Sequence, residues 1–463
     1  MSATTILTCP IPLTPGPSSR GFYIGLYLEH LEEASFLYEQ RLFLLDDPEI
    51  AWRDITPFEE RFEAHIDALV VGEELALAVC RQQAIEGDFG ELHAAVRVFC
   101  RQNRFDLLLE VVDTLDTLDT TDDDIRGAVR RAIADEMPDS WKDILLHHFT
   151  KHHPFFYTLV PYIFGFRRLD YSEDILHQLS EQPDESPKVH IWALGRLRTP
   201  KAVSPLATLL SDYSDSELRK ETALALLRCG DSRCISFLKE KSFAYHWPHI
   251  LLGLCGSRVD AGFLHKVFEH NPSIDALTAI GLLGCKVSVK MLILCLDREE
   301  FAKAAAEALY VITGAQLFEE VNIFNDNDIG NDFYTDTHEY ENDFFTTSND
   351  IKTGITVKRI ARKKERWEAW WNKNESNYHL NIRYRNGRPF DLLCILENIQ
   401  SELLARRIRQ LAYEEMVIRY GIDVHFETSM STEWQIYSIG SLYKLINAYV
   451  SNYTPGNWFL ARK

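Results

Sequence analysis

Four histidines crowd into seven residues: His147, His148, His152 and His153. On a helix His148 and His152 stand at i and i+4 and share a face, a spacing by which two imidazoles chelate zinc or nickel. No HExxH run occurs, no neighbouring Cys or carboxylate completes a ligand set, and Pro154 frays the helix that would hold the pair. The expectation is histidines at a helix end, favoured there by the helix dipole, with no metal bound. A second concentration is Lys358, Arg359, Arg362, Lys363, Lys364 and Arg366 leading into Trp367, Trp370 and Trp371. Such a composition grips phosphates and stacks bases, but the acidic tract beside it and the net charge of −20 argue against nucleic acid. The Asp- and Thr-rich stretch from Asp113 to Asp124 lacks the alternating acids, sixth-position Gly and closing Glu of a calcium loop, and reads as a solvated turn. No P-loop, Gly-x-Gly-x-x-Gly or Gly-x-Ser-x-Gly is present. The residues thus point to no catalytic group and no cofactor. The alternative is a metal-dependent enzyme built on the His147–His153 cluster.

The elements that must position any site come from a recurring phrase. It reads Ala193-Leu194-Gly195-Arg196-Leu197, then Ala225-Leu226-Leu227-Arg228-Cys229-Gly230, Leu251-Leu252-Gly253-Leu254-Cys255-Gly256 and Ala279-Ile280-Gly281-Leu282-Leu283-Gly284. A leucine follows thirteen residues after each opening: Leu206, Leu238, Leu264 and Leu292. A fainter copy pairs Ile163 with Leu176. Self-similarity at this period marks stacked helix pairs, each unable to bury its apolar face alone. The phrase sits on one helix of each pair and the leucine on its partner; small residues let neighbouring helices approach. The irregular period fits HEAT-type repeats, so the predicted fold is all-α: a HEAT-like (PBS-lyase-type) α-solenoid superhelix with helical N-terminal and C-terminal regions.

The chain divides into an extended lead at 1–22, a helical region at 23–143, the repeats at 144–318, an acidic loop or linker at 319–357 and a helical module at 358–463. Thr56-Pro57 with Glu59 predicts a helix start, and Gly87-Asp88-Phe89-Gly90 a turn between helices. From Glu319 to Asp350 there are ten acidic residues and no Lys or Arg; this tract and the basic run after it can neutralise each other. Pro389-Phe390-Asp391 is read as opening one long helix to Tyr420, stopped by Gly421. A further helix from Glu433 to Val450 carries Trp434, Tyr437, Leu442, Leu445 and Ile446. Nine cysteines without a CxxC pair, set inside apolar phrases, predict free buried thiols in a reducing compartment. No basic-then-apolar leader and no long apolar run occur, so the expected place is a bacterial cytoplasm and no membrane partner is expected.

These residues carry a resemblance. His30-Leu31-Glu32-Glu33-Ala34-Ser35-Phe36-Leu37 resembles the opening of an uncharacterised proteobacterial family of HEAT-like repeat proteins, and Arg61-Phe62-Glu63-Ala64-His65-Ile66-Asp67-Ala68-Leu69 resembles its second helix. Ala94-Ala95-Val96-Arg97-Val98-Phe99, the repeats, the acidic break and Trp370-Trp371 before Arg383-Tyr384 are similar in order and spacing. After Gly421 the chain departs, becoming longer and more aromatic. The family has no assigned catalytic residues. Its genes often lie among type VI secretion genes, which implies an accessory role: an effector adaptor, a chaperone or an immunity-like binder.

The expected function is therefore a non-enzymatic protein-binding scaffold that grips a partner along the inner curve of its repeats. Its charge would steer a basic partner, which the resemblance implies is a secreted effector. The candidate contacts are the aromatics near repeat turns, Trp192, Tyr245, His246 and Trp247, and the acids of the break, Asp326, Asp328, Asp332 and Asp336.

Overall fold

Short polar residues start many of the helices. Asp88 accepts from the Glu91 amide while the Glu91 side chain closes back on the Asp88 amide. Asp215, Ser273, Asp391 and Ser431 each accept from the amide three residues on, satisfying a backbone donor that the helix leaves unpaired. Thr56 differs from expectation. It lies inside its helix, and its hydroxyl donates to the Arg53 carbonyl instead of capping.

The computed structural model describes residues 17–47, 50–117, 123–151, 153–181, 186–323 and 355–460. The first helices are α1 (Pro17–Asp46), α2 (Thr56–Val71), α3 (Glu73–Glu86), α4 (Phe89–Arg101), α5 (Phe105–Thr117), α6 (Asp123–Glu136), α7 (Lys142–Thr150) and α8 (Pro154–Arg167). Next come α9 (Ser172–Glu181), α10 (Pro187–Leu197), α11 (Val203–Asp212), α12 (Ser216–Arg228), α13 (Cys234–Lys241) and α14 (Trp247–Cys255). They continue as α15 (Arg258–His270), α16 (Ile274–Leu283), α17 (Val289–Cys295) and α18 (Glu299–Thr313). Strands β1 (Phe318–Ile323) and β2 (Ile355–Ile360) precede α19 (Lys364–Asn374), β3 (Tyr384–Arg385) and β4 (Arg388–Pro389). The chain ends with α20 (Leu392–Ile399), α21 (Arg406–Tyr420) and α22 (Thr432–Tyr449). Among the described residues the strands are few and short, and the fold is all-α.

Every phrase helix packs on the next: α8 on α10, α10 on α12, α12 on α14, α14 on α16 and α16 on α18. The phrases explain the contact. A Cβ added at Gly165, Gly195 or Gly253 would lie 2.8, 2.8 or 2.6 Å from the Cα of Ala193, Ala225 or Ala279. One added at Gly281 would lie 2.7 Å from the Ala308 Cβ. The glycine of one unit thus seats on the opening alanine of the next, and no side chain fits between them. The leucines thirteen residues on, Leu206, Leu238, Leu264 and Leu292, lie on α11, α13, α15 and α17 and are wholly buried, each contributing about 2 kcal/mol through burial. Leu176, the faint copy, is only half-buried, with Ile175 and Leu179 beside it taking the core. The row also runs upstream, α4 on α6 and α6 on α8, where no glycine marks it.

The flanks of the acidic break are paired, and one expectation of continuous structure is corrected. The acidic break is bracketed by an antiparallel pair, β1 and β2, in the register Phe318 with Ile360. Glu319 and Arg359 meet there at 2.9 Å and Lys358 lies over the Phe318 ring, so neutralisation in cis occurs at the base of the break. The helix read from Pro389 to Tyr420 is two helices. Ser401 Oγ accepts from the Leu403 and Leu404 amides, the chain turns, and α21 folds back on α20 around Ile395, Ile399, Ala412 and Met416. The buried Arg409 locks the bend by donating to the Ile399 carbonyl at 2.7 Å. Gly421, at φ +69°, ends α21.

All eight described cysteines are free and buried. Burial pushes the thiols of Cys80, Cys255 and Cys394 up to about 12.

Candidate functional site

The residues singled out from sequence do not converge. His148 is half-buried against Phe105, Phe156 and His153, and burial first, then His153 and His147, lowers its basicity. His147 is exposed. His153 turns away to Asp113 at 3.2 Å and Asp116 at 3.6 Å. Its i+4 partner His152 lies outside the described residues, and among those described no group of three or more His, Cys, Asp or Glu could hold a metal. Trp247, expected as an exposed contact, is 5% exposed; it opens α14 against Phe237, and the apolar requirement of the layer outweighs its place beside a turn. Trp192 is half-buried, stacked on Tyr162 at 5.0 Å with Arg196 over its other side. Tyr245 and His246 are exposed, His246 bonded to Asn271. Asp326, Asp328, Asp332 and Asp336 lie outside the described residues. Of the tryptophans behind the basic run, Trp367 and Trp371 are buried, the first donating to the Ala361 carbonyl, so they offer no stacking platform.

The chain's own tail packs on the phrase helices. α14 and α16 are buried along nearly their whole length, and α21 packs across α12 and α14. The last turns of the phrase helices meet a buried charge network. Arg196 pairs with Glu414 at 2.9 Å and Glu427 at 2.6 Å, and Arg228 with Glu414 and Asp423. Glu415, wholly buried, receives Arg383, Arg385 and Arg419. Those arginines also donate to the ends of the phrase helices: Arg383 and Arg385 to the Leu282 carbonyl at 2.7 and 2.9 Å, Arg419 to the Gly256 carbonyl at 2.9 Å. Helix C-termini carry unpaired carbonyls and partial negative charge, which is why guanidiniums settle there. Burial pushes the Glu415 carboxyl up, but the three arginines more than offset it and bring it to about 2. Gly284, at φ +66°, passes so close to this tail that a Cβ there would lie 2.2 Å from the Tyr384 carbonyl oxygen.

An open concavity lies where α2, α4 and α6 meet the start of α22. It encloses about 710 Å³. His93, on α4, is buried and stacked on Tyr38 at 3.7 Å and 11°, and neither ring nitrogen has a partner. Burial, then Arg97, Arg131 and Arg41, holds the ring well below the usual histidine range, hence neutral. A buried polar group left bare costs about 1–3 kcal/mol. The wall arginines are all engaged: Arg41 with Glu59, Arg97 with Glu63 and Glu136, Arg101 with Glu63, Asp67 and Glu136. Asp135, at the end of α6, accepts no hydrogen bond among the described residues. Burial raises its carboxyl in spite of Arg97, Arg131 and Arg41 nearby.

Sequence reading passed over His93 and Asp135. The signal was present in α4, where His93 and Arg97 interrupt a helix otherwise apolar from Leu92 to Cys100. No family model, no curated protein and no solved structure matches this chain.

Proposed function

We propose that this chain is a non-catalytic protein-binding scaffold, a HEAT-like α-solenoid that carries its tail docked in cis and receives a basic partner at the α22 end. The observation that carries this reading is the outer side of α22. Trp434, Ile436, Tyr437, Tyr443 and Tyr449 are 50, 52, 69, 55 and 46% exposed, while Leu442 and Ile446 anchor the helix inward. Five large side chains facing water on one helix are the makings of an interface core, where aromatics are enriched. The net charge of −20 supports a basic partner through steering. The resemblance to a secretion-linked family supports a secreted effector as that partner, with the chain as adaptor, chaperone or neutralising binder.

The test is affinity purification from the native cell of the wild-type chain beside a Tyr437→Ala/Tyr443→Ala variant, at low and high salt, read by mass spectrometry. The expected result is a basic protein held by the wild type, released by salt and lost from the variant. Equal recovery by both chains, or no protein recovered, removes the reading.

A further inference from the structure

We infer that in the free chain the outer side of α22 is covered by α22 of a second copy, packed antiparallel about a two-fold axis, and that a basic partner binds by displacing that copy. This rests on the reading of α22 as the interface and says what occupies it when no partner is bound.

Spacing along α22 sets the geometry. Thr432, Gln435, Ser438, Leu442 and Ile446 are its buried residues. Opposite them run Glu433, Tyr437, Gly440, Lys444 and Asn447, all exposed, recurring at four and three residues. That is the period at which one helix lies along another. The line has a notch at its middle. A Cβ built on Gly440 meets nothing within 4 Å, so a second helix can approach closely there. A two-fold interface pairs residue i with j and j with i. Setting Tyr437 of each copy into the Gly440 notch of the other also brings each Glu433 to the other copy's Lys444, because both pairs are centred on the same point of the helix. The flanks agree with this register. Ile436 and Tyr443 stand on one side of the line, Trp434, Ser441 and Ala448 on the other. The two-fold axis apposes each flank to its own copy, so Ile436 meets the Tyr443 ring and Trp434 lies over the small Ser441 and Ala448.

Charge favours a copy in this orientation. Glu433 and Lys444 are the only charged residues of α22. Parallel pairing would set each against itself, whereas antiparallel pairing makes two ion pairs. The net charge of −20 opposes the approach, but at physiological salt that field is screened over about 8 Å. The area suits an interface that exchanges. The five large side chains of the ridge are about half exposed, so two copies would bury on the order of 1,000 Å², near the lower bound of specific interfaces.

Sedimentation equilibrium of the purified full chain at physiological salt, over roughly 1–200 µM, tests the pairing. A reversible monomer–dimer equilibrium with a dissociation constant of about 1–100 µM is expected. Gly440→Gln fills the notch and should weaken the dimer about tenfold or more. Its unfolding midpoint should equal or exceed that of the wild type, because glutamine is the better helix former, so the loss is not one of folding. Glu433→Lys and Lys444→Glu should each weaken the dimer about threefold or more, by setting like charges together twice, and the chain carrying both should recover it. A monomer over the whole range overturns the inference. So does a dimer unchanged by Gly440→Gln, or a double variant no better than either single one. A chain that is monomeric throughout yet recovers a basic protein from the cell keeps the ridge reading and loses the dimer. A dimer that recovers no basic protein does the reverse.

Discussion

Replacing Glu415 by Gln tests whether the tail is held on the repeat layer by charge. The side chain is wholly buried and is the one carboxylate that serves Arg383, Arg385 and Arg419, all wholly buried themselves. Glutamine keeps the shape and removes the charge, leaving three guanidiniums with backbone carbonyls, the Asn398 amide oxygen for Arg385, and the Phe390 ring at 3.6 Å from Arg383. Breaking a buried pair in this way costs about 3–5 kcal/mol. The proton affinity gives an independent figure. A carboxyl brought from 4.5 to about 2, at about 1.4 kcal/mol per tenfold change, contributes about 3 kcal/mol. Because the folded value is depressed, this contribution is complete above 4.5 and is lost as pH falls from 4.5 toward 2. Guanidinium unfolding followed by tryptophan fluorescence should therefore show Glu415→Gln destabilised by about 3–5 kcal/mol at pH 7, with the gap to wild type closing as pH drops through that window. Trp458, which donates to the Leu283 carbonyl at the junction, reports the tail directly. A variant within about 0.5 kcal/mol of wild type at pH 7, or a gap that does not narrow in acid, would refute the argument.

Gly195→Ala places a Cβ 2.8 Å from the Ala225 Cα, which is backbone and cannot swing aside. It should lower stability by about 1–3 kcal/mol in the same unfolding assay, and Ala225→Gly in the same chain should recover part of the loss. Thiol titration of the native chain with a disulfide reagent should find at most one fast-reacting cysteine, since eight of the nine are buried as thiols; full reaction should require denaturant. A second rapid thiol would show that the layer opens.

The repeat layer was legible because its chemistry is local. The glycine at a fixed offset in three of the four phrases is the group that touches the next phrase helix or its successor, as Gly195 does on Ala225 and Gly281 on Ala308. The row's upstream start was not legible, because α4 and α6 pack through Ala94, Ala95, Ala132 and Ile133 without a glycine to mark the period. The strands hid behind their charges. Glu319 and Glu320 on β1 and Lys358 and Arg359 on β2 read as an acidic tract followed by a basic one, yet they are the facing residues of one ladder. Trp247 was misplaced because Tyr245 and His246 before it signal a turn, whereas its burial is decided by Phe237 from the preceding helix. The cavity was beyond local reading altogether. His93 and Asp135 line one cavity with Trp434, which lies far away in the sequence, and the return of α22 to α2 encloses them.

That return also decides where a partner can bind. Arginines in the repeat phrases, Arg196 and Arg228, stand in the last turns of α10 and α12 and turn inward onto Glu414, Glu427 and Asp423. The tail does the same with Arg383, Arg385 and Arg419 on Glu415. This junction pairs its arginines and carboxylates nearly one for one, so the rest of the molecule keeps almost the whole net charge of −20. Docking the tail thus has two linked consequences. It closes the ends of the phrase helices, and it leaves the unpaired acids elsewhere on the molecule. Glu60, Asp135 and Glu433 lie where that charge meets the exposed aromatics of α22. A basic partner steered by the whole molecule's field would find its desolvated contacts there and not along the repeats.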